Sequence, residues 1–193
     1  MAHPLLIGLI RAISVAAILS ALLAAPCVAA GTFTVTISQS SIRIHGVELR
    51  SGPQGANGRY ISLAAAEKVL GSPQDTYITG LGVRVYAWRD AGIHMQRGFH
   101  GSDKGKIFKL QVWFVDTHDK DENKHSGKFS GRVQLDGLDI TPETTFDSIR
   151  SQLQKERFEI TEYPNVISAK KREITIFTVE ITNKIERVEA WCS

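Results

Sequence analysis

The sequence predicts an α+β fold made of two tandem repeats. Each repeat is a short helix packed on an antiparallel β-meander, and the two join into one extended sheet. Three observations lead there. Residues 106–114 reappear as residues 184–192: Lys106, Ile107 and Trp113 are matched by Lys184, Ile185 and Trp191. Lys109, Leu110 and Gln111 keep their chemical type as Arg187, Val188 and Glu189. Earlier in each unit, residues 42–49 match residues 133–140, each with a turn at its centre, His45-Gly46 and Asp136-Gly137. Between these matched segments each unit holds one short stretch of helical periodicity followed by alternating apolar residues.

Residues 1–30 read as a secretory signal peptide. Arg11 is their only Lys or Arg, the run from Ala12 to Ala25 is apolar, and Val28-Ala29-Ala30 supplies a small-x-small cleavage site before Gly31. Cleavage near Ala30 places the mature chain in the periplasm or outside the cell. A lipidated Cys27 is the alternative, and it would tether the chain to a membrane. The first repeat spans 31–115. Phe33, Val35 and Ile37 alternate with threonines in strand fashion, and Ile42, Ile44, Val47 and Leu49 form a hairpin around His45-Gly46. Residues 51–58 are a loop by composition. Ser62 opens a helix with the stripe Leu63, Ala66, Val69 and Leu70, and Gly71 with Pro73 stops it. Strands follow at 75–78, 83–88, 93–96 and 107–115.

Residues 116–130 read as a charged linker. The second repeat, 131–193, repeats the order. Val133, Leu135, Leu138 and Ile140 form a hairpin around Asp136-Gly137, a strong two-residue turn signal. Thr144 and Asp147 cap a helix with the stripe Phe146, Ile149 and Leu153. Strands are expected at 158–163, 174–181 and 185–192. This tandem helix-plus-meander pattern resembles the β-lactamase-inhibitor-protein-like architecture. It is also similar to an uncharacterised exported bacterial domain family with the order Leu70-Gly71-Ser72-Pro73, then Trp88-Arg89-Asp90-Ala91-Gly92-Ile93. The resemblance implies a shape, and a role as an inhibitor or immunity protein, without assigning a reaction.

The chemistry-bearing residues form no recognisable reactive set. Asp119, Asp121 and Asn123 copy the start of a calcium loop, but Lys124 and Ser130 stand where the turn glycine and the bidentate glutamate belong. The histidines lack zinc spacing, and no nucleophile elbow occurs. No metal, cofactor or catalytic residue is therefore expected, although an unrecognised hydrolase remains the third alternative. The net charge of +3 on the full chain gives no reason to expect nucleic acid. Charge is unevenly divided, with Lys and Arg prevailing before residue 116 and Asp and Glu after it.

Side chains alternate across a strand. Leu110, Val112 and Phe114 share one side with Val188, Ala190 and Cys192, the side expected to face the helices. The other side is expected to carry Lys109, Gln111, Trp113, Arg187, Glu189 and Trp191. By the same alternation, with Val83, Val85 and Ala87 turned inward, it also receives Arg84, Tyr86 and Trp88. Tryptophan and arginine on one sheet face suit a protein-binding surface. The expected function is thus a non-catalytic protein-binding module whose partner is an envelope protein or an exported toxin or hydrolase. An envelope assembly or scaffolding component is the second reading.

Overall fold

A computed structural model describes residues 33–38, 41–51, 60–98, 106–116, 118–119, 124–125, 127–179 and 182–192. Residues 1–30, read from the sequence as a signal peptide, and Cys27 among them lie outside these residues. The strands are β1 (Thr34–Ile37), β2 (Ile42–Ile44), β3 (Val47–Glu48), β4 (Arg50–Ser51), β5 (Tyr60–Ile61), β6 (Asp75–Ile78), β7 (Arg84–Trp88), β8 (Ile93–Arg97), β9 (Ile107–Trp113), β10 (His118–Asp119), β11 (Lys124–His125), β12 (Arg132–Leu135), β13 (Leu138–Ile140), β14 (Glu159–Tyr163), β15 (Val166–Lys171), β16 (Ile174–Val179) and β17 (Lys184–Trp191). The helices are α1 (Leu63–Leu70) and α2 (Phe146–Lys155).

The two meanders run outward from a shared centre. The large sheet has the order β14-β15-β16-β17-β9-β8-β7-β6, and β5 joins it through Ile61 opposite Ile107. β9 and β17 are antiparallel, with Lys109 facing Trp191, Gln111 facing Glu189 and Trp113 facing Arg187. In the sequence match, 109 corresponds to 187, 111 to 189 and 113 to 191. Lys109 thus faces the counterpart of Trp113, Trp113 faces the counterpart of Lys109, and Gln111 faces its own counterpart. A local twofold axis therefore passes between Gln111 and Glu189.

The small sheet, β13-β12-β1-β2-β3, obeys the same symmetry. The hairpins β2–β3 and β12–β13 flank β1, which is antiparallel to β2 and parallel to β12 and has no counterpart. Both hairpin turns place two residues at positive φ, His45 and Gly46 (50° and 82°) and Asp136 and Gly137 (38° and 90°). That is the twist-compatible geometry for a two-residue hairpin.

The core lies between the sheets. Val35, Ile37, Ile44, Val133 and Ile140 of the small sheet and Leu110, Val112, Val188 and Ala190 of the large one belong to a single buried cluster. Phe146, Ile149 and Leu153 of α2 are buried in it as expected. The stripe of α1 sinks less deeply: only Ala66 is fully buried, and Leu63, Val69 and Leu70 are half-buried against the cluster.

Several local details differ from expectation. Thr145, not Thr144, is the N-cap of α2 and accepts from Ser148 N at 3.4 Å. Thr144 Oγ1 instead accepts from Thr141 N at 2.9 Å. β15 is not among the expected strands: Asn165 marks its first turn, but the second is made by Arg172 in the left-handed region without a glycine. It completes the second meander and makes it equal in strand number to the first. Phe129, at the end of the expected linker, is buried edge-on against Phe114. This docking explains Gly92 in the Trp88–Ile93 motif. Its φ is 61°, and a Cβ there would strike the backbone of Phe129.

Candidate functional site

The central strands bring together six of the nine residues expected on one face. Lys109, Gln111, Trp113, Arg187, Glu189 and Trp191 lie on the side of the large sheet opposite Leu110 and Val112. The register extends their central row across eight strands: Asp75, Ala87, His94, Gln111, Glu189, Thr175, Lys170 and Glu159 stand side by side.

Glu189 organises the group. Its carboxylate accepts from Gln111 Nε2 at 2.8 Å and from Arg187 Nε at 2.9 Å, and it lies 3.6 Å from Lys109 Nζ. Gln96 Nε2 donates to Gln111 Oε1 at 3.1 Å, which extends the network by one strand. Both cations also cover rings. Lys109 Nζ lies 4.4 Å from the centre of Trp191, and the Arg187 guanidinium lies 4.9 Å from Trp113. These two cation–π contacts are symmetry mates, since 109 corresponds to 187 and 191 to 113. Arg187 is further enclosed by Phe177, at 4.0 Å on its other side, and bonded to Glu186 at 2.8 Å.

Electrostatics follow from burial. Glu189, Gln111 and His94 are buried, and the Lys109 side chain is almost so. Burial pushes the Lys109 ammonium below its ordinary value; the nearby Arg187 charge pushes the same way, while Glu189 opposes both. The Trp113 indole N–H is buried without an acceptor. Most of the group is thus closed on itself. Trp191, 39 % exposed, is its open member. Its ring is flanked by Phe108 at 5.8 Å, and its backbone N–H donates to Glu173 O at 2.8 Å.

Arg84, Tyr86 and Trp88 do not join this face. They correct the sequence expectation for β7. Tyr86 pairs with Met95 and Trp88 with Ile93, and these in turn pair with Leu110 and Val112, so Tyr86 and Trp88 point into the core. The large aromatics remove more apolar surface from water there than Val85 and Ala87 would. Trp88 also satisfies its indole N–H by donating to Gly71 O at 2.8 Å, at the end of α1. Arg84, on the same side, reaches the sheet end half-buried. Tyr86 borders a cleft of about 490 Å³ with Tyr60, Leu63, Arg97 and Lys106, and its hydroxyl accepts from Arg97 Nη1 at 3.3 Å.

Sequence reasoning missed His94, Gln96 and Phe177. Their own strands alternate correctly, but only cross-strand register brings them beside Trp113, Gln111 and Arg187. Among the described residues, no group of three or more His, Cys, Asp or Glu side chains is placed to share a cation. No curated protein and no solved structure matches the chain. A family model does match, over residues 34–150, more than half of the sequence. The chain therefore belongs to the family described as Domain of unknown function (DUF7738).

Proposed function

We propose that this chain is an exported, non-catalytic protein-binding module that presents Trp191 to its partner. The observation that carries this reading is a half-exposed tryptophan on a central strand of a wide sheet, held in place on several sides before any partner arrives. Lys109 lies over its ring, Phe108 lies beside it, and Glu173 accepts its backbone N–H. An aromatic anchor ordered in advance loses little conformational freedom on binding. The tandem helix-plus-meander layout, with its likeness to the β-lactamase-inhibitor-protein-like architecture, supports an inhibitor or immunity role toward an exported protein. The apolar N-terminal sequence with its cleavage site before Gly31 supports export.

Site-specific photocrosslinking in cells tests this. A photoreactive residue at 191 is expected to capture one discrete protein. The same residue at 163, where Tyr163 is 61 % exposed at the opposite sheet end, is expected not to capture it. Titration of the captured partner with Trp191→Ala should then show a loss of about 2 kcal/mol or more. Equal capture at both positions, or unchanged affinity with an intact fold, rejects the reading.

A further inference from the structure

We infer that the cleft beside Tyr86 binds a small organic carboxylate, its acid group held by Arg97 and Tyr86 and its apolar body lying against Leu63 and Ile107. The duplication singles this place out. Both meanders break register at the same point, β8 between Gln96 and Arg97 and β16 between Phe177 and Thr178. Such bulges re-aim a side chain, and they recur beside functional sites. Arg97 pairs with Ile107 and Thr178 with Ile185, so Arg97 and Thr178 are symmetry mates. By the same register Tyr86, opposite Met95, is the mate of Ala169, opposite Ile176.

The second repeat closes this position. Thr178 and Ala169 are fully buried, and so is Phe146, the first residue of α2. The first repeat opens it into the cleft of about 490 Å³. Leu63, the first residue of α1, is smaller than Phe146 and only half-buried. Arginine and tyrosine thus stand at an opening where the other copy keeps threonine and alanine under cover. Packing alone gives no reason to place a guanidinium and a phenol there.

The opening offers donors in excess of acceptors. Among the described residues, Arg97 has one hydrogen-bond partner, the Tyr86 hydroxyl at 3.3 Å, and no carboxylate bridges it. Its neighbours across the sheet are Arg84 on β7 and Ile107 on β9, neither of them an acid. Tyr86 is 8 % exposed; its hydroxyl accepts from Arg97, while its own proton meets no acceptor among the described residues. No residue lining the cleft is acidic. Ser62 and Leu63 start α1 at the cleft wall, and the first turn of that helix carries no acid either, so its N–H end also favours an anion. A guanidinium and a phenol match the two oxygens of a carboxylate. A phosphate dianion, with three acceptor oxygens, asks for more donors. The volume suits a small molecule, for which a largely apolar wall with a few convergent polar groups is the usual design. Tyr86 points to the core side of the sheet and Trp191 to the other, so this inference does not depend on the protein-binding role of Trp191.

Heteronuclear NMR titration of the purified protein with 3-phenylpropionate tests it. Saturable shifts are expected at the amides of residues 60–63, 86 and 97, with a dissociation constant on the order of a millimolar for so small a probe. 3-Phenylpropionamide keeps the shape without the charge, and acetate keeps the charge without the apolar body. Each should bind about tenfold more weakly or worse. Phenyl phosphate should bind no more tightly than 3-phenylpropionate. Tyr86→Phe leaves the ring in the core and should weaken binding about tenfold, the size of one hydrogen bond to a charged group. Arg97→Gln should remove saturable binding, and Arg150→Gln on α2 should change nothing. The spectrum of each variant reports its fold, and Tyr86→Phe, which deletes one oxygen, decides the matter if Arg97→Gln does not fold. Any of four results overturns the inference: no saturable shift at these residues, amide or acetate bound as tightly as 3-phenylpropionate, phenyl phosphate bound more tightly, or unchanged affinity in Tyr86→Phe.

Discussion

Glu189 is a single buried carboxylate serving two cations and an amide. Glu189→Gln would leave the nearly buried Lys109 without its counter-charge and Arg187 with Glu186 alone. We expect a loss of about 3–5 kcal/mol in urea unfolding, as when one partner of a buried pair is removed. The local twofold supplies a rescue. In the double variant Gln111→Glu, Glu189→Gln the carboxylate moves to the mate position, between the same two cations. Stability within about 1 kcal/mol of the parent is expected, a coupling of the size seen for residues in one network; a double variant as unstable as Glu189→Gln would show that the two positions are not equivalent. Lys109 makes a separate forecast. Its folded pKa lies below 10.5, so in the alkaline range below 10.5 the unfolded chain binds more protons than the folded one. Stability from this group therefore rises with pH there, since the cost of burying the ammonium disappears as it deprotonates. Lys109→Met removes that term, and Met can still lie against Trp191. Its stability curve should be flatter than the parent's above neutral pH; parallel curves would mean that Lys109 is not perturbed.

The two helices differ in depth, and mutation should show it. Phe146→Ala empties a fully buried site and is expected to cost about 3–5 kcal/mol in chemical denaturation. Leu63→Ala on half-buried α1 should cost clearly less; equal losses would place both helices at the same depth. This difference was not legible in the sequence, because the stripe Leu63, Ala66, Val69 and Leu70 has the right spacing yet spacing does not report depth. Elements with their own local signal were legible: the Asp136-Gly137 hairpin, the Phe146 stripe and the long strands carrying Trp113 and Trp191. What escaped depended on partners distant in sequence. The parallel pairing of β1 with β12 joins residues almost a hundred positions apart. β15 is bounded by left-handed Asn165 and Arg172, and an arginine turn gives little warning. The side taken by β7 turned on whether Tyr86 and Trp88 or Val85 and Ala87 filled the core. Alternation alone is indifferent to that choice; burial area and the Gly71 carbonyl decide it.

At the scale of the whole molecule, both repeats feed one buried cluster, and β9 and β17 join them by backbone pairing. Unfolding should therefore be a single event. Tryptophan fluorescence and far-ultraviolet circular dichroism should give coincident urea curves; two resolved transitions would mean that the halves are separately stable. Joining the halves in one chain has another consequence, seen at Gln111 and Glu189. Two identical subunits related by an axis must place the same residue on both sides of it. There, two glutamates would face each other at hydrogen-bonding distance, and two glutamines would leave two identical cations without the carboxylate they share. Neither arrangement suits this position, so an identical pair could not encode it well. A gene that carries both copies can write a different letter in each. The mixed amide–carboxylate pair at the axis is a solution open only to a molecule whose two halves are free to differ.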